Sequence, residues 1–180
     1  MATDRFDRIM FGLLLITASA LAVQLAQGTF SPAGRSRTDS GKAVERQLAA
    51  QARAALLEKI YGPVTVLVRD GNQTGALLKL EEVNRVYPGE AHGLILKGEI
   101  LYRLGALDEA TANFAAGARL NGDYLDRQGP LSRRELVAQL VTAQQQSLEQ
   151  REREQPGSPS LRGVRANLGY LRSRLAGGCE

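Results

Sequence analysis

The chain repeats a pattern of small and large residues at an interval of 34 positions, and this repeat limits the folds open to it. Five pairs of similar residues fall in register at that offset: Gly71 with Gly105, Ala76 with Ala110, Leu80 with Phe114, Val86 with Leu120, and Pro88 with Gly122. The glycine permits a tight turn between two antiparallel helices, and the alanine permits their close approach. The large apolar residue then fills the groove between helices, and proline or glycine ends the unit. The sequence therefore predicts consecutive helix–turn–helix units and an all-α fold.

The better-preserved unit spans residues 91–124 and contains the run LGALDEA at residues 104–110. A helical unit of this length and pattern resembles the tetratricopeptide repeat (TPR) family. The earlier unit, residues 57–90, matches less well, because Pro63 interrupts its first helix and Val64 stands where the family has a small residue. The resemblance implies a short helical solenoid that binds other proteins. It assigns structural roles to Gly71, Ala76, Leu80, Pro88, Gly98, Gly105, Ala110, Phe114 and Leu120.

The remaining helices follow from apolar periodicity and from helix start and stop signals. Val44, Leu48, Ala52, Leu56 and Ile60 recur at every fourth position, which predicts an amphipathic helix over 43–61 that ends at Gly62-Pro63. The short run 64–68 fits a strand or a helix, and the repeat favours a helix. Further helices are predicted over 74–87, 90–104 and 107–120, followed by a loop at 123–129. Ser132 and Glu135 form a potential capping box for a helix over 132–154, and the first and last of these helices are interpreted as end caps of a domain over 43–154.

An apolar segment precedes this domain. Residues 9–26 contain no charge in eighteen positions, and as a helix they would be about 27 Å long, close to the thickness of the bilayer core. We therefore expect residues 1–27 to hold a transmembrane helix and residues 28–42 to form a flexible tether. The alternative is a signal peptide cleaved after Ala22, which would leave a mature N-terminus near Val23. With an uncleaved anchor, we favour a bacterial inner-membrane protein whose helical domain is periplasmic.

The C-terminal section, residues 155–180, is predicted to be a linker followed by an amphipathic helix. Its apolar residues are spaced by three and four positions and form a potential partner-binding seam: Leu161, Val164, Leu168, Leu171 and Leu175. Arg165 and Arg172 lie on other faces of the same helix and are included in that site. An isolated helix of this length is marginal in water, so it must dock. The protein's own domain, a partner protein and an anionic membrane surface all remain open as the docking surface.

The composition disfavours catalysis and nucleic-acid binding. The only histidine, His92, and the only cysteine, Cys179, provide neither a metal-ligand set nor a nucleophile with its base. The net charge of +4 is spread along the chain, so the sequence predicts no nucleic-acid partner, and it also predicts no cofactor and no small-molecule substrate. We expect a membrane-anchored adaptor or assembly protein rather than an enzyme. The alternative is a constitutive structural subunit of a larger membrane complex, for example a respiratory or photosynthetic one.

Overall fold

The computed structural model describes residues 33–127 and 129–177, with side chains from residue 41 onward. All regular structure in these ranges is helical, which confirms the all-α class. The helices are α1 (Ala33–Arg69), α2 (Gln73–Val86), α3 (Ala91–Arg103), α4 (Leu107–Leu120), α5 (Arg134–Glu154) and α6 (Leu161–Leu175), with a 3-10 helix at Gly122–Leu125. Within the described ranges, no helix is both long and apolar enough to cross a bilayer. The predicted span, residues 9–26, lies outside those ranges.

The chain divides into two units, residues 1–47 and residues 48–180. In the first, the described part is the start of α1, and all side chains from Gly41 to Gln47 are exposed. The second unit contains the rest of α1 and the helices α2 to α6, and its apolar core draws on all of them.

Helix α1 differs from the sequence prediction at both ends. It begins at Ala33, so residues 33–42 are helical rather than a flexible tether, and it continues through Pro63 instead of ending there. Proline inside a helix costs about 3 kcal/mol. Continuing the helix buries Val64 and Val68 on the same side as Leu57 and Tyr61. Each such side chain contributes about 1.5–3 kcal/mol when it leaves water, which offsets the cost of the proline.

The turns that end α1 and α3 lie 34 residues apart in the chain and form the same backbone hydrogen bonds. Gly71 and Gly105 both have positive φ, 78° and 79°. The amide of Asn72 donates to Leu67 O, and the amide of Ala106 donates to Leu101 O, each at 2.9 Å. Together with the bond from each glycine amide, this is the Schellman arrangement, which satisfies the last carbonyls of a helix. The repeat in the sequence is therefore a repeat of backbone structure at these turns.

Helices α3 and α4 form a tightly packed antiparallel hairpin. A Cβ atom added at Gly98 would lie 2.8 Å from Phe114 Cδ2, and one added at Gly117 would lie 2.8 Å from Ile95 Cδ1. Because no larger residue fits at either glycine without displacing its neighbour, the two glycines set the distance between the helices. Gly98 was identified from the sequence, whereas the role of Gly117 was not.

Helices α5 and α6 form the last hairpin, which corrects two details of the prediction. The capping box is not formed as predicted, because α5 begins at Arg134 and its N-cap residue, Arg133, makes no side-chain capping bond. Ser132 Oγ still accepts from the Arg134 amide at 3.4 Å, and its hydroxyl donates to Asp126 O at 2.6 Å. Helix α5 is not the end cap either, because α6 packs against both α4 and α5 and covers them.

Candidate protein-binding surfaces

The apolar seam of α6 faces the protein's own core. Leu161, Leu168 and Leu171 are buried, and Val164 and Leu175 are partly buried against the same core. Of the three docking surfaces that the sequence left open, the structure shows α6 on its own domain. Arg165 and Arg172 are exposed, so these two members of the predicted site are the ones that another molecule can reach.

Polar contacts fix α6 in this position at both ends. Arg119 of α4 donates to Asn167 Oδ1 at 3.1 Å, and its guanidinium lies 4.5 Å from the centre of the Tyr170 ring. The guanidinium of Arg134 donates to Leu175 O at the end of α6. Arg165 pairs with Glu152 of α5. The helix is thus held by cation–π, hydrogen-bond and ionic contacts in addition to its buried leucines.

An open cleft of about 580 Å³ lies at the start of α5. It is lined by Arg127, Ser132, Arg133, Arg134, Glu135, Leu136 and Ala138. Two of its arginines already have partners, since Arg134 also donates to Leu125 O and Arg133 lies 3.7 Å from Glu99. Arg127 is exposed. The cleft therefore contains three arginines and one glutamate, and two of the arginines, Arg133 and Arg134, are already engaged in contacts within the domain.

A polar cluster joins the hairpin of α3 and α4 to that of α5 and α6. Arg151 makes two hydrogen bonds to the Asp108 carboxylate, at 2.7 and 2.8 Å, and Gln144 Nε2 donates to the same carboxylate at 2.8 Å. The bonds from Arg151, with help from Gln144, lower the pKa of Asp108. Gln144 is fully buried. This cluster is a structural clamp that specifies how the two hairpins are joined.

A second buried polar cluster links α1, α3 and the 3-10 helix. His92 Nδ1 lies 2.9 Å from the Tyr124 hydroxyl, and the His92 ring is 4.9 Å from the Tyr61 ring. Burial, with a smaller contribution from Arg133, lowers the pKa of His92 to about 4. Burial also raises the pKa of Tyr61 and of Tyr124. His92 is thus a neutral core histidine at physiological pH, and the sequence offered no signal for its tyrosine partners.

The largest departure from the sequence prediction is the outer side of α1. Leu48 and Leu56 are 61% and 57% exposed, Ala52 between them is exposed, and Ile60 is only partly buried. Val44, in the first unit, is also exposed. The row from which the amphipathic helix was predicted is therefore mostly exposed, and the residues that this helix buries in the core are Leu57, Tyr61, Val64 and Val68.

The structure brings most of the predicted repeat residues together. Ala76, Leu80, Ala110 and Phe114 are buried, and Gly71 and Gly105 lie at the two matching turns. Pro88 lies in the exposed turn between α2 and α3. Leu120 is 60% exposed, so it does not pack as expected; its counterpart Val86 is exposed as well.

Among residues 33–127 and 129–177, no group of three or more His, Cys, Asp or Glu side chains lies close enough to hold a metal ion. Cys179 lies outside the described residues. Comparisons with known protein families, with curated proteins and with solved structures found no match.

Proposed function

We propose that this chain is an adaptor or assembly protein that binds other proteins through a short stack of TPR-like hairpins, tethered to a membrane by residues 9–26. The observation that carries the proposal is the repetition of one turn, with the same hydrogen bonds and positive-φ glycine, at an interval of 34 residues. A repeated helical hairpin buries its core between neighbouring units and leaves long helix faces free for binding. The tightly packed α3–α4 hairpin is consistent with such a unit.

The exposed charges indicate which partners such a protein would prefer. Arg162, Arg165 and Arg172 are exposed on α6, and no acidic residue occurs between residues 161 and 177. A positively charged helix face attracts acidic partners and increases their rate of association. We therefore expect the adaptor to prefer a partner segment rich in Asp and Glu.

A specific observation also favours the alternative function, a constitutive subunit of a membrane complex. Among the side chains that the structure describes, nine large apolar ones are exposed, including Leu48, Leu56, Leu78 and Val86. In a permanent complex such side chains are buried by neighbouring subunits. The two functions differ in whether the chain is stable alone.

The test is affinity capture of the tagged full chain from detergent-solubilised membranes of the source organism. An adaptor should be recovered folded without its partner, and a substitution of exposed charge should weaken capture. The informative variant is Arg162→Glu/Arg172→Glu, which leaves the ion pair of Arg165 with Glu152 intact, and its matched control is Arg85→Glu on the exposed side of α2. If a protein captured by the native chain is lost in the α6 variant but is retained in Arg85→Glu, the result supports the adaptor function.

Other results assign the chain differently. A set of proteins in fixed stoichiometry, together with aggregation of the chain when it is produced alone, would identify a constitutive subunit. If no protein is enriched over an unrelated membrane protein with the same tag, the proposal is rejected. Intact-mass measurement tests the anchor separately, because a mature chain that begins near Val23 would be a secreted one.

A further inference from the structure

Two buried polar atoms in the clamp formed by Asp108, Gln144 and Arg151 have no hydrogen-bond partner among the described residues. They are Gln144 Oε1 and Arg151 Nε, and both side chains bind the Asp108 carboxylate through their other nitrogens. A buried polar atom without a partner destabilises the folded chain, and native structures therefore pair nearly all such atoms. The two atoms indicate that a further ligand is bound at this joint.

The orientation of the Gln144 amide is fixed by the carboxylate beside it. Hydrogen bonds from Arg151 lower the pKa of Asp108, which keeps this carboxyl group ionised and able only to accept. Gln144 must therefore direct its Nε2 at Asp108, as it does at 2.8 Å, because the flipped amide would bring two acceptors together. Gln144 Oε1 is thus held as an acceptor that needs a donor.

The geometry of Arg151 places its unpaired Nε on the same side of the clamp. Nη1 of this side chain donates to Asp108 Oδ2, and Nη2 donates to Asp108 Oδ1. Because a guanidinium is planar, the second N–H of Nη2 and the N–H of Nε lie along one edge, on the side of Oδ1. Gln144 Nε2 donates to that same Oδ1. The unpaired donor and the unpaired acceptor therefore flank one carboxylate oxygen.

We propose that a water molecule is bound at this joint, where it donates to Gln144 Oε1 and accepts from Arg151 Nε. A chloride ion could accept from Arg151, but it would leave Oε1 without a donor and would lie beside the Asp108 carboxylate. A metal cation could bind Oε1, but it would face the guanidinium. Water both donates and accepts, and buried waters typically bond to about three polar groups that lack other partners.

The bound water completes the clamp between α4 and α5. Asp108 lies in the first turn of α4, whereas Gln144 and Arg151 lie about two turns apart on α5. The side chains of Arg151 and Asp108 are 34% and 37% exposed, so solvent reaches the edge of the clamp and supplies the water. The site serves the joint between two hairpins whether the chain is an adaptor or a subunit of a complex.

Nuclear magnetic resonance of the full chain in detergent micelles tests the site in solution. The Hε proton of Arg151 should give a nuclear Overhauser cross-peak with water, and its sign should be that of the cross-peaks within the protein, because the water is held by the fold. The matched control is Arg119, which also donates through Nη2 to a side-chain oxygen but is exposed. Its Hε proton should show only exchange with bulk water.

Substitution of two nearby glutamines tests the role of the acceptor. Gln144→Met keeps the length of the side chain but removes Oε1, so the cross-peak of Arg151 with water should be lost. Gln146→Met, at an exposed position of the same helix, should leave the cross-peak unchanged. A high-resolution crystal structure of the native chain gives a second readout, in which the water oxygen should lie about 2.7–3.2 Å from Gln144 Oε1 and from Arg151 Nε.

Three results would overturn the proposal. One is a native chain in which Arg151 Hε, like Arg119 Hε, shows only exchange with bulk water. Another is a direct hydrogen bond between Gln144 Oε1 and Arg151 Nε in the crystal structure, which would satisfy both atoms without a ligand. The third is an undiminished cross-peak in folded Gln144→Met, which would place the water elsewhere. The first two measurements use the native chain, so they decide the matter even if Gln144→Met does not fold.

Discussion

The close approach of α3 and α4 makes a strong prediction about Gly98. Gly98→Ala adds a methyl group 2.8, 3.0 and 3.1 Å from three ring atoms of Phe114, whose side chain is fully buried. Overpacking of this kind costs typically about 1–3 kcal/mol. Alanine also favours a helix over glycine by about 1 kcal/mol, which opposes that cost. Because the three close atoms belong to a rigid, fully buried ring, we expect the clash to win and Gly98→Ala to lower the free energy of unfolding by up to about 2 kcal/mol.

The chain contains a matched control for this prediction. Gly169 lies in the interior of α6, is exposed, and has no atom within 4 Å of an added Cβ. Gly169→Ala therefore gains the helix preference without a clash and should raise the free energy of unfolding by about 0.5–1 kcal/mol. The same substitution is thus predicted to have opposite signs in two helices of one protein.

Urea unfolding of the full chain in a mild detergent, followed by circular dichroism, measures both effects. The double variant Gly98→Ala/Phe114→Leu completes a cycle in which the smaller side chain relieves the clash, so the two substitutions should couple favourably. Equal stabilisation by Gly98→Ala and Gly169→Ala would refute the inference that Gly98 sets the distance between α3 and α4.

Three further predictions concern the two polar clusters and the last helix. The first concerns His92, whose pKa is about 4 in the folded chain and 6.5 in the unfolded chain. As the pH falls, the unfolded chain binds the proton first, so protonation of His92 should lower the free energy of unfolding by about 2 kcal/mol between pH 7.5 and pH 5. This pH-dependent loss of stability should be absent in His92→Asn, and the same pH dependence in that variant would contradict the prediction. Asp108→Asn weakens the bonds from Arg151 and should lower the free energy of unfolding by about 1 kcal/mol in a urea titration. In the same titration Lys79→Gln, which removes an exposed ion pair on α2, should have no measurable effect. Leu171→Ala should cost about 2–5 kcal/mol because its side chain is fully buried, whereas Leu78→Ala, at an exposed site, should change the midpoint of thermal unfolding little.

The sequence predicted the features that depend on local chemistry. The observed bounds of α2, α3 and α4 agree with the predicted ones to within one residue. Glycine at the two turns and large apolar residues at positions 80 and 114 gave direct signals, because each has a single dominant physical role. The 34-residue interval linked those signals along the chain.

The features that the sequence did not predict are those in which two local structures are possible and tertiary packing selects one of them. Helix α1 offers two apolar sides, and periodicity alone cannot rank the row through Leu48 and Leu56 against the row through Leu57 and Val64. Only packing in the common core decides which row is buried. Pro63 was taken as a stop for the same reason, since its local cost is visible in the sequence and the compensating burial of Val68 is not. The contact of His92 with Tyr124 joins residues that are 32 positions apart in the chain, so no local sequence pattern predicts it.

The position of α6 changes how the function has to be tested. Its leucines belong to the core, so a chain that lacks residues 160–180 would lose the buried Leu161, Leu168 and Leu171 and the contact between Arg119 and Tyr170. Loss of a partner by such a truncated chain would therefore report damage to the fold rather than loss of a binding site. Single substitutions on the exposed side of α6 avoid this problem, because the side chains of Arg162 and Arg172 can attract an acidic partner and are not part of the buried core.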